Sequence, residues 1–175
     1  QQQPHTFCLE PFSTINDDDH IAVPKTPALR LRFQTYAQTL DWQPAAQCIS
    51  LPVTELYEHP QALERFQNVL CAELPALAFP ERESKLKQML QSLKARGLQN
   101  VLANNLYGLS LANEFEFRVQ GGYGLNITNA LALREYQRLG LCDATLSFEL
   151  NLRQIVELRE NASVPCGIIA YGRLP

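Results

Sequence analysis

The segment 121–129 reads Gly-Gly-Tyr-Gly-Leu-Asn-Ile-Thr-Asn, and an apolar-periodic run follows it to Leu139. Next comes Ala-Thr-Leu-Ser-Phe-Glu-Leu at 144–150, a second helical run at 152–160, and a final Gly-Ile-Ile-Ala-Tyr-Gly-Arg-Leu-Pro at 167–175. These stretches read as strand, helix, strand, helix, strand. Each strand finishes in polar or glycine-rich residues, at 121–126, 147–149 and 171–173. Such alternation predicts βα units and a parallel sheet. In sheets of that kind the ligand site forms at the carboxyl ends of the strands.

Working outward, the flanking helices are well punctuated. The segment 80–96 carries Glu81 and Glu83 in its first turn, where they favour the positive end of the helix dipole. Leu86, Met89, Leu90 and Leu93 recur on one face, and Gly97 supplies the stop. Asn129 is placed to cap 130–139, which Gly140 ends, and Asn151 with Gln154 forms a capping box. Leu152, Ile155 and Val156 of that last helix are expected to face the sheet. Pro60 divides 53–66 into short helical pieces, and 107–114 reads as another short helix.

Upstream strands are expected at 29–33, where Leu-Arg-Leu-Arg-Phe alternates, and at 47–51, 70–74, 100–104 and 117–121. With 144–148 and 167–171 this makes about seven strands, which predicts an α/β fold of parallel βα repeats. Right-handed crossovers would curl the sheet into a partial or complete TIM-like (β/α) barrel. An open doubly wound sheet is the alternative, and short strands with polar ends favour the barrel. The expected division is an irregular segment or linker at 1–28 and the barrel-like domain at 29–175. The absence of an initiator Met and the stop at Pro175 suggest a fragment of a longer protein.

The 175 residues are 46% hydrophobic and 19% charged, enough apolar material for a core. A formal net charge of −3 does not suggest a broad nucleic-acid footprint. No apolar run reaches the length of a membrane span, and no leader is recognisable, so a cytoplasmic protein without membrane contact is expected. Cys8, Cys48, Cys71, Cys142 and Cys166 include no CxxC pair and read as reduced core thiols. Asp17, Asp18 and Asp19 beside His20 lack the spacing of a calcium loop, so no metal ligand or cofactor is assigned within the chain.

Under the barrel reading, Glu73, Asn104, Asn105, Gln120, Gly121, Gly122, Asn126, Ser147, Glu149, Tyr171 and Arg173 converge at strand ends. Glu149 is the candidate general acid or base, and Arg173 the candidate fork for a carboxylate or phosphate. Asn104, Asn126, Ser147 and Tyr171 are candidate substrate-binding residues. The glycines at 121, 122 and 124 lack dinucleotide spacing and more simply allow close backbone approach. GxSxG and HExxH are absent, and His5, His20 and His59 fall away from strand ends.

Gly121-Gly-Tyr-Gly-Leu-Asn126, with Thr128, Asn129 and the leucine-rich helix after them, resembles the U32 peptidases, the collagenase-like proteases. The Ser147-Phe-Glu-Leu150 and Tyr171-Gly-Arg-Leu-Pro175 segments fit the same pattern, over about 85–175, as the later portion of a long U32 protein. The resemblance implies a hydrolase acting on peptide substrates, inactive as an isolated fragment, with the rest of the same polypeptide as partner. It also implies an alternative, an RNA-hydroxylation factor whose iron–sulfur cluster is held by cysteines outside this chain. A non-catalytic scaffold or binding domain is a third reading. The chain departs from the family in carrying Gln120 and Gly122 where a His and an Asp are common, and Phe148 where a Pro is common.

Overall fold

A computed structural model describes residues 27–39, 46–77 and 79–172. Seven strands form one sheet in the order of the chain: β1 (Arg30–Arg32), β2 (Cys48–Pro52), β3 (Leu70–Glu73), β4 (Asn100–Ala103), β5 (Arg118–Gly121), β6 (Leu141–Thr145) and β7 (Cys166–Gly167). Every neighbouring pair is parallel. Helices fill the crossovers: α1 (Val53–Glu58) and α2 (Gln61–Phe66), then α3 (Pro80–Ala95), α4 (Leu106–Glu114), α5 (Ala130–Arg138) and α6 (Leu152–Glu160). The α/β, βα-repeat fold expected from the sequence is therefore present.

The sheet curls. Strands in a flat sheet lie about 4.8 Å apart, which would separate β1 from β6 by roughly 24 Å. Yet Arg30 Nη1 lies 2.7 Å from Asp143 Oδ1, joining those two strands. Cys48 Sγ on β2 likewise reaches Gln120 Oε1 on β5 at 3.4 Å. The sheet is thus a half-barrel with a polar concave face. Its convex face carries Ile49, Leu51, Ala72, Val101, Val119 and Ala144, all fully buried beneath the helices. Burial of that apolar layer is the main driving force for the fold.

Local chemistry sets the helix ends as expected. Asn129 Oδ1 accepts from Ala132 N–H at 2.8 Å, and Asn151 and Gln154 complete a reciprocal capping box. Pro80 opens α3, and Gly97 and Gly140 take φ of +95° and +100° after α3 and α5. Pro60 separates α1 from α2.

Three expectations are corrected. β6 begins at Leu141, immediately after Gly140 turns the chain, so 146–150 forms a turn beyond the strand. The acidic Asp143 sits inside that strand because Arg30 neutralises it across the concave face. The last strand, β7, spans Cys166–Gly167 alone, and Ile168, Ile169 and Tyr171 beyond it are exposed. On α6, Leu152 and Val156 are exposed and Leu158 is the buried residue. A two-residue β7 offers that helix less apolar surface than a full strand would.

Candidate functional site at the carboxyl ends of the strands

Side chains alternate across a strand, so β1 places Arg30 and Arg32 together on the concave face and Leu31 against the core. The alternation in 29–33 is legible in sequence, but solvent is the simplest destination for its charged face. In the fold each arginine meets an acid from another strand. Arg32 Nε donates to Glu73 Oε2 at 2.6 Å. Glu73 ends β3 and is 7% exposed, so its charge needs that partner.

The other carboxylate oxygen is also occupied. Asn104 Nδ2 donates to Glu73 Oε1 at 3.0 Å, and Asn104 Oδ1 accepts from Gly124 N–H at 3.3 Å. This chain of contacts runs from β1 through β3 and β4 to the loop after β5. The loop must pass close to Asn104. A Cβ on Gly122 would lie 2.0 Å from Asn104 Oδ1, and one on Gly124 would lie 2.7 Å from the Asn104 carbonyl oxygen. The glycine pattern therefore serves close approach to this asparagine.

Above the network the mouth is aromatic. The Arg32 guanidinium sits over the Tyr123 ring at 5.8 Å, and the Tyr123 and Phe148 centroids are 6.4 Å apart at a tilted angle. Phe148 is half exposed. Arg32 is the hinge of the arrangement, because it contacts both the buried acid and the ring. Its pairing with Glu73 raises its pKa further, so it stays charged at every relevant pH.

Toward the amino ends of the strands lies a second cluster. Cys48 and Cys71 pack together with Leu102 on the concave face. The Cys71 thiol hydrogen bond, helped by the Arg30 cation, holds Cys48 below the usual thiol range despite burial. Burial pushes the fully enclosed Cys71 well up. Arg118 Nε contacts Cys142 Sγ at 3.4 Å nearby. Two adjoining thiols do not fit an iron–sulfur cluster, which takes four cysteine ligands. Among the described residues no group of three or more His, Cys, Asp and Glu side chains could hold a metal ion.

The sequence-derived candidates divide. Asn104 is at the heart of the buried network. Ser147 is buried on the turn after β6, its N–H donating to Ile127 O at 3.0 Å and its Oγ accepting from Glu149 N–H at 3.3 Å. Glu149 is exposed on the same turn. Asn126 is exposed at φ +49°, where it ends the 3-10 turn Tyr123–Leu125. Tyr171 is almost wholly exposed. Arg173 lies outside the described residues, as do residues 1–26 with His5, Cys8, Asp17, Asp18, Asp19 and His20. Arg30, Arg32 and Asp143 on the concave face, with Tyr123 and Phe148 on the loops at its mouth, are residues of this region that sequence reasoning does not select as a site. The signal for the arginines is their period of two, once the strand is known to line a barrel.

Sequential parallel strands around a polar concave face, with the densest polar network at their carboxyl ends, define a (β/α)-barrel type of protein. A solved structure of a U32 peptidase matches this chain with a TM-score of 0.60 at 13% sequence identity, covering 87% of this chain and 73% of the other. That likeness is one of fold. In sequence, the chain is 34% identical over 77 residues to an uncharacterized protease of Methanocaldococcus jannaschii. The matched stretch is 44% of this chain and spans 19% of that protein. No family model matches the chain. The two likenesses bear out the resemblance to the U32 family read over about 85–175.

Proposed function

We propose that this chain is part of a U32-type protease and supplies one wall of its peptide-binding mouth. The observation that carries this reading is the Arg32–Glu73–Asn104–Gly124 network at the carboxyl ends of the strands, in which both oxygens of the buried Glu73 carboxylate are paired. A network of that kind fixes a rigid rim on which substrate can be oriented. It does not by itself supply a nucleophile and its base. Glu149 is an exposed carboxylate on the rim, and we keep it as the general acid or base of the assembled site, with Asn126 and Ser147 orienting substrate. Tyr171 would extend the same rim, and Arg173 is kept as the fork for an anionic group. Among the described residues no helix is long and apolar enough to cross a membrane. The free cysteines among the described residues fit a reducing compartment, so we assign the protein to the cytoplasm.

The purified chain is expected to leave casein and gelatin intact, whereas a longer protein containing it cleaves them. Within that longer protein, Asn104→Ala should lower kcat/KM by on the order of tenfold or more, because a displaced rim misplaces substrate. Efficient cleavage by the isolated chain would overturn the division of labour. An RNA-hydroxylation factor or a non-catalytic module would instead leave the longer protein without hydrolytic activity in the same assay.

A further inference from the structure

Three features of the mouth go beyond what holding the fold together requires. Glu73 engages Nε of Arg32, which leaves the two terminal nitrogens of a guanidinium whose side chain is 42% exposed. Tyr123 lies beneath that guanidinium, and Phe148 stands beside Tyr123 with 52% of its surface exposed. A large aromatic side chain left in solvent at the open end of a barrel is a surface suited to another apolar group. A planar cation next to it is suited to a carboxylate or phosphate.

The charge balance separates those two anions. Glu73 already neutralises Arg32, so the local sum before binding is zero. A carboxylate adds one negative charge, whereas a phosphate adds nearly two and a nucleic-acid backbone a whole row. Glu149 follows Phe148 directly and is exposed, which repels any anion but costs a polyanion more than a single carboxylate. The chain as a whole carries −3.

The geometry points to a subsite for the free carboxyl end of a peptide whose last residue is aromatic: Arg32 takes the α-carboxylate through its terminal nitrogens, and Tyr123 with Phe148 holds the ring. The buried acid behind Arg32 makes the fork rigid before the ligand arrives, which reduces the ordering cost of binding. Asn104 acts one step back as a positioning residue, since it holds Glu73 in register. The substrate class, a peptide, rests on the U32-type reading proposed for the chain; the carboxylate-plus-ring chemistry rests on the three side chains.

The test is binding of acetyl-Gly-Phe to the purified chain by calorimetry or NMR titration, compared with its C-terminal amide and with acetyl-Gly-Ala. The free acid should bind about tenfold more tightly than either control, because the amide cannot use the charged fork and the alanine peptide has no ring to pack. Arg32→Lys retains the charge beside Glu73 but loses the planar fork, and should remove the preference for acid over amide. Phe148→Ala changes a half-exposed ring, so folding is preserved, and it should weaken the acid several-fold. Equal affinity for acid and amide would overturn the inference, as would an unaffected Phe148→Ala variant or tighter binding of adenosine 5′-monophosphate. The readout is independent of hydrolysis. Binding without proteolysis by the longer protein removes the protease reading and leaves the subsite; proteolysis without binding does the reverse.

Discussion

Asn104 is held by contacts that tolerate no added atom. Gly122 has φ of −84°, an ordinary value for any residue, so an alanine there would be opposed by sterics and not by backbone strain. Its Cβ would stand 2.0 Å from Asn104 Oδ1. Gly122→Ala should therefore displace the amide, break the bond to Glu73 and cost about 2 kcal/mol, within the range for overpacking. Chemical denaturation checks this, and an unchanged midpoint would show that the loop moves instead. Asn104→Ala should cost about 1–3 kcal/mol, because it strips a partner from a buried carboxylate. The glycines can be read in sequence as a sign of close approach, since few other demands require them. Their partner cannot, because Asn104 comes from another strand and sequence spacing carries no information about which side chains a curled sheet brings together.

Elements are legible to the extent that their causes are local. Helices α3, α5 and α6 are written in caps, end-charges and glycine stops that lie within a turn of each boundary. Asn151→Ala should lower stability by about 1 kcal/mol, the usual worth of an N-cap. Gly97 and Gly140 share a positive φ, but a Cβ on Gly97 meets open space while one on Gly140 falls 2.8 Å from Asn113 Oδ1. Gly140→Ala should therefore destabilise more than Gly97→Ala in parallel urea titrations, and equal destabilisation would show that Asn113 moves aside at no cost. Strand ends are set by partners in distant sequence, which is why local patterning sets β6 too late and β7 too long. Cys166 on β7 gives that region a pH signature. Burial, with help from Asp143, pushes its thiol from 9.0 to about 11. The folded protein thus keeps the proton that the unfolded chain releases, so this group's stabilising contribution is complete below pH 9.0 and lost as pH rises through about 11. Alkylation of Cys166 by iodoacetamide should keep accelerating to about pH 11; a plateau at 9.0 would contradict the burial described for it.

At the scale of the whole molecule, the sequence shows the order of βα units but not the force that bends the sheet. The curl brings together Arg30 and Asp143, which are 113 residues apart in the chain and 2.7 Å apart in space. Asp143 is nearly enclosed and Arg30 about one-third exposed, so their pair differs from an ordinary surface contact. Arg138 and Glu135 supply the contrast: 2.9 Å apart on one helix, with both side chains about two-thirds exposed. Glu135→Ala should change stability by less than about 0.5 kcal/mol, as surface pairs do. Asp143→Ala should cost on the order of 3 kcal/mol, because it leaves an arginine facing a concave interior without its counter-ion. Arg30 also lowers the thiol of Cys48, and Asp143 steadies Arg30, so removing Asp143 should also change how fast Cys48 reacts with thiol reagents. Arg30→Met with Asp143→Leu would remove both charges together and should recover much of the stability that the single variant forfeits, since it is the unpaired charge that destabilises. If the double variant is as unstable as Asp143→Ala, the pair is more than a neutralised contact, and the curvature of the half-barrel depends on the salt bridge itself.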